Sequence, residues 1–390
     1  MKILYIHNCN IVRGSTTALQ NIIIGVKASG HMPVVITNNT DGPFLKFLEE
    51  NNIETYKIPI RLTIYISKMP PIIWLKRMIV TMMKLPLQQY RIKKIIKKVQ
   101  PDIVHTNVGP LGSAVLPCRH LRIPHVWHSR EYQDLDFNMH YFPSINAFMR
   151  LSHSEGNYNV AITEGIFKYR HFREGVDKVV YDGVFSQQQL ELVSQKKEKY
   201  ILYVGRVIPG KSVFSVIKAF ADFLDYYKDY KLLIVGEDCI KSQYSQRCHN
   251  FILKKSLVDH VVFLGERHDV YRLMAHAKML IVPSLFEGFG FITAEAMANG
   301  CIVVGRNTAG TKEQFDNGVK FAGCEIGYRF NDDEELKDVM LRVMDDDTAE
   351  MVEKARSVAL GHYTIEKNVS NLLNYYEFVL QDYKSKQGRK

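Results

Sequence analysis

One order of elements is written twice along this chain. KILYIH (2–7) is a short apolar run that leads through a loop with a glycine into a helix-patterned segment at about 16–29, then into PVVIT (33–37). YILYVGR (200–206), a helix-patterned segment at about 212–227 and KLLIVG (231–236) repeat it. Continuous apolar strands of this length, separated by helices, are what a parallel sheet covered on both faces requires; a sheet with one wet face would alternate instead. Further strands are predicted at 53–59, 102–107, 125–129 and 159–163 in the first half, and at 261–265, 279–284 and 301–305 in the second. The charged stretch 196–199 parts the two sets.

Each set predicts a Rossmann-like domain of the α/β class, and the pair predicts two such domains facing across a cleft. The expected division is 1–184 and 195–362, with 363–390 holding a Leu- and Tyr-rich helix at 365–384 that fits neither strand pattern. At 390 residues the chain is long enough for two sizeable cores, and its 24% charged content is ordinary for a globular protein. Its six cysteines are scattered without a C-x-x-C pair, which points to reduced thiols and away from a zinc site or a disulfide frame. MKILYIH is too short for a secretory leader, and no apolar run reaches the roughly 18–20 residues of a spanning helix. The expected location is cytoplasmic.

The chemistry concentrates in SLFEGFGFITAEAMANG (284–300), a strand-to-helix passage with Gly288 and Gly290 at its turn. A helix N-terminus carries N–H groups without intrahelical acceptors and attracts anions such as phosphate. Glu287 and Glu295, separated by seven residues in the same passage, cannot bind phosphate themselves. Carboxylates beside an anion site are suited to accept hydrogen bonds from hydroxyls. Phosphate amides flanked by two such acids suggest a nucleotide-sugar. Gly205-Arg206 ends the first strand of the same half, with Lys211 shortly after. Both cations stand where open α/β sheets bind ligands and can reach one diphosphate. The segment GRVIPGKS is not a P-loop, because its glycine spacing is wrong.

The basic charge is concentrated as well. Residues 56–101 contain eleven Lys or Arg and no Asp or Glu, interleaved with Ile72, Ile73, Trp74, Leu75, Met78, Ile79, Met82 and Met83. This mixture suits an anionic membrane surface, reached peripherally from the inner face, where each cation adds about 1 kcal/mol of attraction. A solvated basic helix at 88–98 beside ordinary core residues is the other reading. No nucleic-acid recognition motif accompanies the charge, so nucleic acid is not expected as a partner.

With these residues in view, the chain resembles the GT-B fold retaining glycosyltransferases of family 4 (glycosyl transferases group 1), of the bacterial polysaccharide-assembly type. The likeness extends over nearly its whole length and is most specific in the second half: YVGR with Lys211, the two acids at 287 and 295, and Asn307-Thr308-Ala309-Gly310-Thr311 with Glu313. The resemblance implies that Arg206 and Lys211 hold the donor diphosphate, Glu295 the ribose hydroxyls, and Glu287 the transferred sugar near its 3-hydroxyl. Backbone of Gly288, Phe289, Gly290 and Phe291 would contact the sugar and the distal phosphate, with Thr308 as a secondary candidate. The base would be read around Gly265 to His268, Arg267 included. The final helix would cross back to the first domain.

The first half matches more loosely. Where the family has paired glycines after strand one, this chain reads Val12-Arg13-Gly14, so Arg13 either adds a phosphate contact or turns outward. His128 corresponds to a histidine beside the C6 hydroxyl of the donor sugar, and Arg130 and Glu131 are secondary candidates. The resemblance implies a lipid-linked or other saccharide acceptor, retention of configuration, no cofactor beyond the nucleotide-sugar substrate, and no metal. The pair Asp134/Asp136 has the D-x-D spacing used for a divalent ion in the other main glycosyltransferase fold, and a metal there is the alternative. A nucleotide-sugar epimerase of similar fold and a non-catalytic nucleotide-sugar-binding partner in an assembly complex are the competing readings. A dehydrogenase is disfavoured, since no G-x-G-x-x-G follows the first strand.

Overall fold

The computed structural model describes residues 1–11, 13–66, 69–191 and 196–388. The expected start of the second domain at 195 and the loop residue Val12 lie outside the described residues. The chain divides into two units, Met1–Gly183 with Ile365–Lys390, and Val184–Thr364.

The first unit is built on strands β1 (Lys2–Ile6), β2 (Met32–Thr37), β3 (Glu54–Lys57), β4 (Ile64–Ile66), β5 (Ile103–Thr106), β6 (His125–Ser129), β7 (Met139–Tyr141), β8 (Asn157–Ala161) and β9 (Lys178–Val179). Seven of them form one sheet in the order β3-β2-β1-β5-β6-β8-β9, every pair parallel. The continuous apolar runs have their expected cause. In β1, Ile3 and Tyr5 enter the core on one face, while Leu4 and Ile6 enter the core on the other.

Helices cover both faces. On the first, helix Gly14–Ala28 and the terminal helix Ile365–Gln387 bring Leu19, Ile22 and Ile23 against Val369, Leu372 and Tyr376. The apolar stripe of the terminal helix, Val369, Leu372, Tyr376 and Val379, recurs at helical spacing, which is why this segment buries here and not in either strand pattern. On the second face, Ile92, Ile95, Ile96 and Val99 of helix Pro71–Val99 pack against Leu4, Val34 and Val104.

Three features differ from expectation. The basic helix begins at Pro71, far ahead of residue 88, because a proline fits the first helical turn, and it continues through Pro86. Strands β4 and β7 form a separate antiparallel pair of three residues each, too short to show a period in the sequence. Met78, read with the exposed apolar residues of the basic stretch, is buried, while Ile72, Ile73, Leu75, Ile79, Met82 and Met83 are exposed in keeping with that reading.

The second unit carries β10 (Tyr200–Val204), β11 (Lys231–Val235), β12 (Val261–Gly265), β13 (Met279–Val282), β14 (Val303–Arg306) and β15 (Tyr328–Phe330). They form one parallel sheet in the order β12-β11-β10-β13-β14-β15. The charged stretch before β10 is tied to this unit: Lys197 Nζ donates to the carbonyls of Ala275 and Gly300, each at 2.7 Å. In each unit the strand order reverses beside the first strand, at β1/β5 and at β10/β13. Ligands of doubly wound sheets bind at such reversals, outside the C-terminal strand ends.

Close packing of the terminal helix depends on Gly25, where an added Cβ would lie 2.4 Å from Val369 Cγ2. Gly25→Ala is expected to cost about 1–3 kcal/mol in urea unfolding through overpacking. Adding Val369→Ala to that variant should recover part of the loss; a pair of costs that simply add would show the contact to be slack.

Candidate active site

The reversal in the second unit brings together the two segments singled out by sequence. The loop after β10 carries Arg206 and Lys211, and the loop after β13 carries Glu287 to Gly290. Backbone joins them, with Leu285 N donating to the carbonyl of Gly210 at 3.1 Å. Side chains join them too, through an ion pair of Lys211 Nζ with Glu287 Oε1. A third loop closes from β14: Gly310 N donates to the Glu287 carbonyl at 2.9 Å. A Cβ on Gly310 would meet the Phe289 carbonyl oxygen at 2.3 Å, so the Asn307–Thr311 motif needs glycine at that position.

Gly290, at φ +88°, turns the chain into helix Phe291–Ala298. Gln314 Nε2 holds that turn by donating to the carbonyls of Phe289 at 2.7 Å and Gly290 at 3.0 Å. The buried Thr293 Oγ1 and Gln314 Oε1 have no partner among the described residues, and Thr293 Oγ1 and Gln314 Nε2 both lie close to Gly290. Arg206 is exposed at the end of β10, its carbonyl accepting from the Tyr203 hydroxyl at 3.0 Å. Thr308 precedes helix Ala309–Ala322 in extended conformation.

Glu295 lies on the helix that follows the turn. Its Oε1 accepts from the Tyr271 hydroxyl at 3.3 Å. Burial pushes its carboxyl up from the ordinary 4.5 to about 7, with the Tyr271 hydroxyl pulling the other way. Gly265 ends β12 in left-handed conformation, at φ +65°. Arg267 is exposed and committed to Asp269 through two hydrogen bonds of 2.8 and 2.7 Å.

In the first unit His128 is fully buried at the end of β6. Its Nδ1 lies 3.3 Å from Arg130 Nη2, and its Nε2 has no partner among the described residues. Arg130 is buried as well; it pairs with Asp182 and donates from Nε to Asn107 Oδ1 at 3.0 Å. Asn107 Nδ2 in turn donates to the Ser15 carbonyl at 3.0 Å and contacts His7 Nδ1 at 3.3 Å. His7 Nε2 reaches Thr16 Oγ1 at 3.1 Å. This network fixes the start of helix Gly14–Ala28 from below, with Arg13 exposed at its N-cap and open space around Gly14. Glu131 accepts from Gln133 Nε2 at 2.6 Å, and burial followed by the Asp136 charge raises its carboxyl to about 7. Asp134 Oδ2 accepts from the Tyr169 hydroxyl at 2.5 Å and Asp136 Oδ2 from the Tyr132 amide at 2.9 Å, while the Oδ1 atom of each is buried without a partner among the described residues.

Two family models match in tandem, Glycosyltransferase Family 4 over residues 12–185 and Glycosyl transferases group 1 over residues 185–377. The chain belongs to the family 4, group 1 glycosyltransferases. It is 26% identical over 260 residues to N-acetyl-alpha-D-glucosaminyl L-malate synthase of Bacillus anthracis, covering 62% of this chain and 65% of that protein. It is 31% identical to N-acetylgalactosamine-N,N'-diacetylbacillosaminyl-diphospho-undecaprenol 4-alpha-N-acetylgalactosaminyltransferase of Campylobacter jejuni, over 33% of this chain and 34% of that protein. The aligned chain thus spans less than two thirds of either relative. Among solved structures, Anabaena HepE in complex with UDP and glucose superposes with TM-score 0.72 at 19% identity, covering 96% of this chain and 98% of that one. That likeness is one of fold, the GT-B arrangement of two Rossmann-like domains.

In this family 4 chain the structure gathers Lys211, Glu287, Gly288, Phe289 and Gly290 with the Thr308 loop, and sets His128 and Arg130 together in the first unit. Arg267 stands apart with Asp269. Sequence reasoning missed Tyr271, Gln314, Asn107, Asp182 and His7. Tyr271, Gln314 and Asp182 are single residues far along the chain from the groups they hold and carry no local pattern, whereas His7 and Asn107 end the predicted strands 2–7 and 102–107, the position that could have marked them.

The Glu295 environment has a pH signature. Between 4.5 and about 7 the folded carboxyl keeps a proton that the unfolded chain has lost, so its contribution to stability falls as pH rises through that window. Glu295→Gln, which keeps shape without charge, is expected to raise the melting temperature by a few degrees near pH 8 and to lose that advantage near pH 5. An offset independent of pH would disprove the raised carboxyl.

Proposed function

We propose that this chain is a retaining glycosyltransferase that moves a sugar from a UDP- or GDP-sugar to a saccharide acceptor, lipid-linked, in the making of capsule, cell wall or exopolysaccharide. The observation that carries this reading is the meeting of Arg206, Lys211 and Glu287 at the two loops flanking the β10/β13 reversal. The UDP and glucose bound by HepE, and the undecaprenol diphosphate in the name of the Campylobacter relative, support the donor and acceptor classes.

Arg206 and Lys211 would bind the diphosphate, Glu295 the ribose and Glu287 the transferred sugar, while His128 would meet the sugar's C6 hydroxyl. Retention by double displacement would need a carboxylate nucleophile behind the sugar. The reading instead takes a front-face route. The bond from the anomeric carbon to the diphosphate breaks, the bond to the acceptor oxygen forms on the same face, and the acceptor proton passes to a diphosphate oxygen. Arg206, Lys211 and the amides of the 288–291 turn stabilise the charge that develops on the leaving group. Two cations at the leaving group supply the charge a divalent ion would bring, so the reaction is assigned as metal-independent. No cofactor is assigned, since the nucleotide-sugar is a substrate.

Arg206→Ala and Lys211→Ala should each slow transfer by about 10²–10³-fold while leaving the unfolding transition nearly in place. Glu295→Ala should mainly weaken donor binding. Thermal shift with UDP- and GDP-sugars tests the donor class, because a ligand at 100 times its Kd stabilises by about 2.7 kcal/mol. Wild-type turnover in both cation variants would remove the assignment.

The first half of helix Pro71–Val99 supports peripheral binding to an anionic membrane. Ile72 is 82% and Met83 76% exposed, with Lys76, Arg77 and Lys84 on the same segment. No helix among the described residues is long and apolar enough to cross a membrane. Co-sedimentation with vesicles rich in phosphatidylglycerol should exceed that with neutral vesicles, and Ile72→Glu with Met83→Glu should abolish it. Equal binding to both vesicle types would exclude the electrostatic part.

A further inference from the structure

A line of buried polar groups runs from the terminal helix to His128. The Tyr376 hydroxyl lies 2.7 Å from His105 Nδ1 and 3.4 Å from the Tyr5 hydroxyl. His105 Nε2 lies 3.3 Å from His128 Nδ1, the atom that Arg130 Nη2 also reaches. Beyond it, His128 Nε2 is buried without a partner. His105, His128 and Tyr376 are each wholly buried.

The protons along this line are not free to choose their places. A guanidinium has five donors and no acceptor. Arg130 is tethered by Asp182 and Asn107, so toward His128 it can only donate, and His128 Nδ1 must be bare. Burial and the Arg130 charge hold both imidazoles neutral. A neutral ring with a bare Nδ1 carries its proton on Nε2. His105 Nε2 faces the same lone pair of His128, so it too carries the proton, and His105 Nδ1 is left bare. The hydroxyl 2.7 Å from that nitrogen then donates to it.

We propose that Tyr376 and His105 are positioning residues that hold the His128 ring with Nε2–H directed outward as a donor to a hydroxyl of the transferred sugar. The proposal rests on the sugar-binding role of His128 given above. It also fixes what His128 does: with its proton already on Nε2 and Nδ1 occupied, it donates a hydrogen bond and does not take the acceptor proton. The last helix of the chain, remote in sequence, therefore sets the donor character of a residue at the end of β6.

The test uses the whole protein labelled with ¹⁵N-histidine, with Nδ1 and Nε2 read by long-range proton–nitrogen correlation and the His128 signals assigned through His128→Gln. In wild type, both His105 and His128 are expected as Nε2–H tautomers. Tyr376→Phe should shift His105 to a mixture of tautomers and lower kcat for UDP-glucose hydrolysis about fivefold with KM unchanged, the rate equivalent of one lost hydrogen bond. Tyr375→Phe, on the same helix, is the control: the Tyr375 hydroxyl serves the carbonyls of Asn159 and Val176, and its loss should lower stability and leave both readouts alone. A proton on His128 Nδ1 in wild type overturns the proposal whether or not Tyr376→Phe folds. So does a folded Tyr376→Phe with wild-type tautomers and turnover. Failure of the wild type to bind any UDP- or GDP-sugar would count instead against the donor reading, since the tautomer spectrum needs no ligand.

Discussion

A parallel sheet that reverses its strand order opens at the reversal, because the two flanking connections leave in opposite directions. In the second unit that opening lies between β10 and β13, and nearly everything at the candidate site hangs from those two strand ends. Arg206 and Lys211 leave one, Glu287 and the glycine turn leave the other, and the Gly310 amide stitches in the loop from β14. The first unit repeats the device at β1 and β5. There the loops bring Arg13 and Asn107, with His128 and Arg130 supplied by the neighbouring β6.

Two acids on either side of the Gly290 turn pose an electrostatic problem, and the chain meets it in two ways. Glu287 is paired with Lys211, so its charge is balanced within the site. Glu295 has no cation partner among the described residues; burial raises its carboxyl to about 7, so near neutrality it carries only part of a charge. One carboxylate is neutralised by a counter-ion and the other by desolvation.

Much of this was legible in the sequence, for a physical reason. Strands buried on both faces must be continuously apolar, so β1, β2, β10 and β11 announce themselves, and a Rossmann-like pattern written twice fixes the fold class. The Glu287–Glu295 passage was legible because its chemistry is local: turn, acids and helix start are contiguous. What could not be read is non-local or short. Strands β4, β7, β9 and β15 have three residues or fewer, below one full alternation. Helix Pro71–Val99 was expected only at its end, since its first half buries so little that no amphipathic period marks it. The Asp182–Arg130–Asn107–His7 network joins residues up to 175 positions apart by sums of topology that no window of sequence contains.

The buried polar atoms that the fold leaves unsatisfied add an argument of a different kind. Each such atom costs about 1–3 kcal/mol, so a fold tolerates few and their location is informative. Of ten such side-chain atoms among the described residues, Thr293 Oγ1 and Gln314 Oε1 stand beside the Gly290 turn, and His128 Nε2, Ser129 Oγ and the Tyr141 hydroxyl stand at or near the end of β6. Tyr141 and Ser129 converge on Gly109, where an added Cβ would lie 2.9 Å from one oxygen and 3.8 Å from the other. A core under selection for stability alone would pair these groups or replace them with apolar ones. On the glycosyltransferase reading proposed above, the atoms beside the Gly290 turn and at the end of β6 are hydrogen-bonding capacity available to a polyhydroxylated ligand, whereas those of Asp134, Asp136, His153, Asn159 and Arg170 lie elsewhere in the first unit.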